Sequence, residues 1–86
     1  MIKNLDKKIR AYALRNAIAH GGKANPGSIV SSLFNEGLKK EEVKEVMAKI
    51  QKEIEEIEKL SLQEQEKEYP KFEEVVSERE IREGLP

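Results

Sequence analysis

The residues best suited to chemistry fall in one short stretch, His20-Gly21-Gly22-Lys23-Ala24-Asn25-Pro26-Gly27-Ser28. Adjacent glycines and a lysine just ahead of a helix start can offer backbone amides and a positive charge to a phosphate. Gly22 and Gly27 keep the spacing of the two P-loop glycines, yet Ser28 and Ile29 stand where that motif needs Lys and then Ser or Thr. No strand-like pattern precedes the loop either, which argues against a nucleoside-triphosphate site. The glycines have a second reading, in which their tolerance of positive φ turns the chain sharply between two helices. The turn and an anion contact are compatible, and both stay open at this level.

Nothing else in the chain suggests a reactive site. His20 has no Asp or Cys beside it in sequence and fits better at the C-terminal end of a helix, where partial positive charge is favoured. Ser28, Ser31 and Ser32 lack a nucleophile elbow, and the many glutamates beyond Glu41 fit a solvated helix face. There is no cysteine and a single histidine, which removes disulfides, thiolate zinc sites and His clusters. No catalytic or metal-ligating residue is assigned, and no cofactor is expected on this chain.

With 86 residues the chain is sized for one domain with a thin core. Charged residues make up 38% of it, dominated by Glu and Lys, both strong helix formers. The same bias without cysteine is the compositional signal of proteins that work at high temperature. The net charge of −1 conceals a split. Residues 1–40 carry Lys3, Lys7, Lys8, Arg10, Arg15, Lys23, Lys39 and Lys40 against Asp6 and Glu36, a balance of +6, and residues 41–86 balance at −7. Such a split turns a basic front half toward an anionic partner, unless the acidic half neutralises it internally. No apolar run approaches the roughly 20 residues needed to cross a bilayer, and no signal peptide opens the chain. No membrane partner is expected, and the expected location is the cytoplasm.

The elements that would position the glycine loop are helical. Leu5, Ile9, Tyr12, Ala13, Ala17 and Ile18 recur at helical spacing, with Leu14 widening the arc. With Asn4 as N-cap and Gly21-Gly22 as the stop, they predict a first helix over about 5–20, packed against two neighbours. Asn25 as a cap and Pro26 at the first helical position start a second helix over about 26–36. Ile29, Val30, Leu33 and Phe34 form its apolar face, and Gly37 ends it.

Val43, Val46, Met47, Ile50, Ile54, Ile57 and Leu60 form a stripe that predicts a third helix over about 39–60. Glu45/Lys49 and Glu55/Lys59 support its exposed face. The stripe reads as the core surface for the first two helices, or alternatively as a coiled-coil seam. Ser61-Leu62-Gln63-Glu64 is a capping box that opens a short fourth helix, which Pro70 must end or kink. Ser77-Glu78-Arg79-Glu80 repeats the pattern, but only Phe72, Val75, Val76 and Ile81 are apolar there. The fold class is therefore all-α: three main helices, a short fourth and a weakly docked acidic C-terminal tail. The bundle is assigned to residues 1–68 and the tail to 69–86, and the chain is expected to be a monomer.

The run Tyr12-Ala13-Leu14-Arg15-Asn16-Ala17-Ile18-Ala19-His20-Gly21-Gly22-Lys23-Ala24-Asn25-Pro26-Gly27-Ser28-Ile29-Val30 closely resembles the segment that opens archaeal-type glutamyl-tRNA synthetases. The likeness continues through Val43-Lys44-Glu45-Val46-Met47 and Ile50 to Leu60-Ser61-Leu62-Gln63-Glu64-Gln65, and Gly84-Leu85-Pro86 looks like the lead into a catalytic domain. The resemblance implies a non-catalytic piece of an enzyme that joins glutamate to tRNA, with ATP and Mg as cofactors of the parent and its catalytic domain as a neighbour. The two ATP signatures of that class, His-Ile-Gly-His-like and Lys-Met-Ser-Lys-like, are absent here, so no catalytic residue carries over.

Gly22-Lys23-Ala24-Asn25-Pro26 followed by Ile29-Val30 is also similar to a motif in the tail domain of the tRNA-dependent amidotransferase B subunit. Related helical domains precede some eukaryotic glutaminyl-tRNA synthetases, and such modules are regarded as tRNA-contacting. The resemblance thus points the same way as the basic front half, because phosphate contacts supply sequence-independent affinity. Lys7, Arg15, Lys23 and Lys39 are the expected tRNA-holding residues, with the loop of Gly21, Gly22 and Gly27 near a phosphate. Base stacking is not expected, since Tyr12 and Phe34 read as buried. The alternative is a structural or protein-docking module that stabilises the synthetase or binds a partner protein; an independent small protein is a third reading.

Overall fold

The computed structural model describes residues 2–72 and Val75. The described residues are all-helical and contain no strand. Four α-helices follow one another: α1 (Leu5–Ala19), α2 (Pro26–Asn35), α3 (Val43–Glu58) and α4 (Leu62–Glu68). One 3₁₀ turn, Lys40–Glu42, leads into α3, and another, Tyr69–Lys71, follows α4. The start signal at Ser77, the apolar residues Val76 and Ile81 and the closing Gly84-Leu85-Pro86 lie outside the described residues.

Helix α1 is the centre of the bundle, packed against α2, α3, α4 and the turn at Tyr69–Lys71, one helix more than its apolar arc suggests. Ile9, Ala11, Tyr12, Ala13, Leu14 and Ala17 are all buried. The three buried alanines let the other helices approach closely. Ile29 and Leu33 of α2 and Val46, Ile50 and Ile57 of α3 complete the core, with Val43 and Ile54 packed at its margin. The α3 stripe is thereby used inside the bundle.

The ends of the helices follow their local sequence. Asn25 Oδ1 accepts from the Gly27 N–H at 2.9 Å, capping α2 with Pro26 at its first position. Gly37, at φ 110°, closes α2: its N–H donates to Phe34 O and the Leu38 N–H to Leu33 O, with Leu38 buried beneath the turn. This is a Schellman closure, and the positive φ is why glycine is needed.

Ser61 and Glu64 form the expected capping box, Ser61 N–H to Glu64 Oε1 at 3.0 Å and Glu64 N–H to Ser61 Oγ at 3.2 Å. The Ser61 amide, and after it the Ser61 hydroxyl, hold the exposed Glu64 carboxyl below its ordinary pKa. Helix α4 ends at Glu68, just before Pro70. Beyond it Tyr69 and Phe72 still pack against the core.

Three sequence expectations change. Asn4 occupies the N-cap position of α1 but in a left-handed conformation, φ 56°, with no side-chain cap bond. Asn tolerates that region, and its carbonyl instead accepts the Lys8 N–H at 2.9 Å. Lys49 reaches Asp6 of α1, Nζ to Oδ1 at 3.6 Å, and so ties α3 to its neighbour. Phe34 is 45% exposed, because α2 buries the Ile29/Leu33 edge of its arc and Phe34 falls at the other edge.

Candidate nucleic-acid interface

Helices α1 and α2 are joined by residues 20–25, and this loop is fixed by bonds from three sides. Gly21 and Gly22 adopt φ 71° and 108°, the positive values that glycine permits. The Gly22 N–H donates back to Ala17 O at 2.7 Å, sealing the end of α1. His20 lies across the same end, Nδ1 2.7 Å from Asn16 O. A carbonyl only accepts, so Nδ1 carries the proton and the imidazole acts as a helix-end cap. The Asn25 N–H donates to Asn16 Oδ1 at 2.6 Å. Gly22 O, finally, accepts from Gln65 Nε2 of α4 at 3.1 Å.

These bonds limit what the loop can offer an anion. The amides of Gly22, Asn25 and Gly27 are directed to Ala17 O, Asn16 Oδ1 and Asn25 Oδ1, so three of the donors a phosphate-cradling loop would use are turned inward. The turn reading of the glycines is what the structure shows. Positive charge at this end comes from side chains, with Lys23 exposed on the loop and Arg15 exposed one turn before the end of α1.

The expected contact residues divide between two ends of the bundle. Arg15, Gly21, Gly22, Lys23 and Gly27 lie at the end where α1 passes into α2. Lys7 and Lys39, both exposed, lie at the opposite end, about 20 Å away along α1 at the usual helical rise. There Lys8 Nζ binds Glu36 Oε1 at 3.0 Å, which brings the start of α1 to the end of α2. Lys39 opens the 3₁₀ turn that follows, its N–H donating to Glu42 Oε1 at 3.0 Å.

Part of the basic front half is consumed internally. Arg10 Nη1 binds Glu53 Oε1 at 2.7 Å and Glu56 Oε2 at 3.4 Å, and its Nε binds Glu68 Oε1 at 2.9 Å with Nη2 on the same oxygen. Burial works against the Arg10 charge, but hydrogen bonds to Glu53 and Glu68 outweigh it and raise its pKa above the ordinary arginine value. Lys8 on Glu36 likewise holds α1 to the end of α2.

Sequence reasoning missed three residues that shape this region. Asn16 left a signal: asparagine inside a helix is unfavourable unless its side chain has a backbone partner. Arg10 left a weaker one, as one of four arginines among twelve lysines, since a planar fork suits several carboxylates at once. Gln65 left none, being one polar residue in the run Gln63-Glu64-Gln65-Glu66-Lys67-Glu68. Yet it is fully buried, with 0% exposure.

Among the described residues no group of three or more His, Cys, Asp or Glu is arranged to hold a metal. No described helix is long and apolar enough to cross a membrane.

No family model matches the chain, and no solved structure matches it. It is similar to glutamate–tRNA ligases of archaea. The Methanocaldococcus jannaschii ligase is 39% identical over 80 residues, 92% of this chain and 14% of the relative. The Ignicoccus hospitalis ligase is 40% identical over 79 residues, 87% of this chain and 14% of the relative. The Thermococcus kodakarensis ligase is 33% identical over 91 residues, 99% of this chain and 16% of the relative. The chain thus spans about one-seventh of the length of these relatives. It is a helical domain related to a segment of the archaeal glutamate–tRNA ligases.

Proposed function

We propose that this domain is a non-catalytic module of glutamyl-tRNA synthesis that contacts tRNA at the α1–α2 loop. The observation that carries the reading is an exposed lysine, Lys23, on a loop whose backbone is bonded in place, in a chain related to glutamate–tRNA ligases. Lys23 meets a phosphate as a point charge and Arg15 extends the cationic edge along α1. Lys7 and Lys39 form a separate patch that a ligand as long as tRNA spans. The affinity of such a patch is modest, and tethering to a larger synthetase body multiplies it through effective concentration.

ATP and Mg belong to the adenylation step of the parent chemistry. The two ATP signatures of that class are absent from this sequence, and in the α1–α2 loop the amides of Gly22, Asn25 and Gly27 are already bonded within the chain, so no residue here is proposed to hold them.

A second reading, docking to another protein surface, is favoured by Phe34 at 45% and Leu62 at 40% exposure. Salt separates the two. In a fluorescence-anisotropy titration with a glutamate tRNA transcript, phosphate contacts from Lys23, Arg15, Lys7 and Lys39 give a log–log salt slope of about −3 to −4. A salt-independent affinity, or none at low salt, sinks the tRNA reading.

A further inference from the structure

Among the described residues Gln65 is the one buried residue of polar or charged type, and its position serves two elements at once. Its Nε2 lies 2.8 Å from Ile57 O and 3.4 Å from Leu60 O, at the end of α3 where a helix leaves carbonyls without intrahelical donors. The third acceptor is Gly22 O at 3.1 Å, 43 positions earlier in the chain. Three carbonyls surround the same nitrogen, which fixes the orientation of the amide. The other end of the side chain, Oε1, is buried without a partner. An apolar side chain of the same length carries no such cost, so the position is explained by the amide end and by what it holds.

What it holds is the backbone beside Lys23. Gly22 is fastened from α4 by Gln65 and Asn25 from α1 by Asn16 Oδ1, and Lys23 and Ala24 are the two residues between these fixed points. We infer that Gln65 is a positioning residue that acts through Gly22 to hold Lys23 ready for a phosphate, with Asn16 holding the other side. This role rests on the tRNA-contacting reading above. Ordering the loop before binding removes part of the entropy loss that association otherwise incurs. It also makes α4, which supplies this side chain, part of what holds the loop.

The test is a double-mutant cycle on the 86-residue chain, with Gln65→Met, Lys23→Ala and the pair titrated against a glutamate tRNA transcript at 25 °C. Circular dichroism and amide spectra establish that each variant is folded. In the wild-type background Gln65→Met weakens binding about three- to tenfold and speeds amide exchange over residues 21–25. In the Lys23→Ala background it weakens binding no further, because it acts through Lys23. Equal losses in both backgrounds, or undiminished binding by folded Gln65→Met, overturn the role. If Gln65→Met does not fold, Asn16→Ala runs the same cycle from the α1 side and is read by the same criterion. A wild-type chain that does not bind the tRNA overturns the tRNA reading itself, and the inference with it, before any substitution is compared.

Discussion

The first turns of α1 and its last turns are held to the bundle by different chemistry. At the start the ties are ionic: Asp6 to Lys49, Lys8 to Glu36, and Arg10 to Glu53, Glu56 and Glu68. At the end Asn16 takes the Asn25 amide and Gln65 of α4 donates to Gly22 O, both neutral hydrogen bonds. The difference decides where positive charge remains on the surface. Lys8 and Arg10 hold helices together, whereas Lys23 is exposed on a loop fixed without using its charge. A balance of +6 over the front half therefore overstates the charge that faces a partner.

The comparison breaks if substitutions at the two ends have the same consequence. The largest effect is expected for Arg10→Ala, which leaves Glu53, Glu56 and Glu68 facing one another with no cation between them. The cost is about 2–3 kcal/mol, a fall in melting temperature of about 10–20 °C for a domain of this size. At 25 °C the folded fraction should bind tRNA within about twofold of wild type, because the Arg10 side chain faces carboxylates and no phosphate. Lys23→Glu should do the reverse, lowering tRNA affinity about five- to tenfold at low salt while moving the melting temperature by less than about 2 °C, as exposed surface changes do. A Lys23→Glu variant that binds normally and melts early would remove the distinction.

The smallest effect concerns pH and sharpens the ionic side of the account. The Glu64 carboxyl has a lowered folded pKa because it accepts the Ser61 amide and hydroxyl. Its contribution to stability is therefore complete above the unfolded glutamate pKa and is lost as pH falls through the lower folded value. Melting curves between neutral pH and about pH 3 should lose slightly more stability for wild type than for Glu64→Gln. Equal slopes would show that the capping box does not depend on the charge.

Much of this architecture was legible because it is local. The helix over 26–35 is announced by Asn25 and Pro26, its end by Gly37, and α4 by Ser61 and Glu64, each through bonds spanning a few residues. The turn at Gly21-Gly22 was legible for the same reason. What escaped depends on distant partners. Gln65 meets Gly22 across 43 positions, and Arg10 meets Glu68 across 58; nothing in the neighbourhood of either residue marks it. Phe34 misled because its helical spacing placed it on the arc that Ile29 and Leu33 bury, whereas its exposure is set by how far α2 is rotated against α1. The direction of the Asn25 amide was equally hidden, since Asn16 had to be known as its partner first.

The central claim is that the α1–α2 loop, and not the ion-paired flank around Arg10, meets RNA. An amide NMR titration of the chain with glutamate tRNA at low and physiological salt tests it most directly. The account predicts shifts clustered at Arg15, Gly21, Gly22, Lys23 and Gly27 that shrink as salt rises, with the Arg10 side-chain Nε signal unmoved. Shifts centred on Arg10 and its glutamates, or no shifts at a several-fold excess of tRNA in low salt, would contradict it.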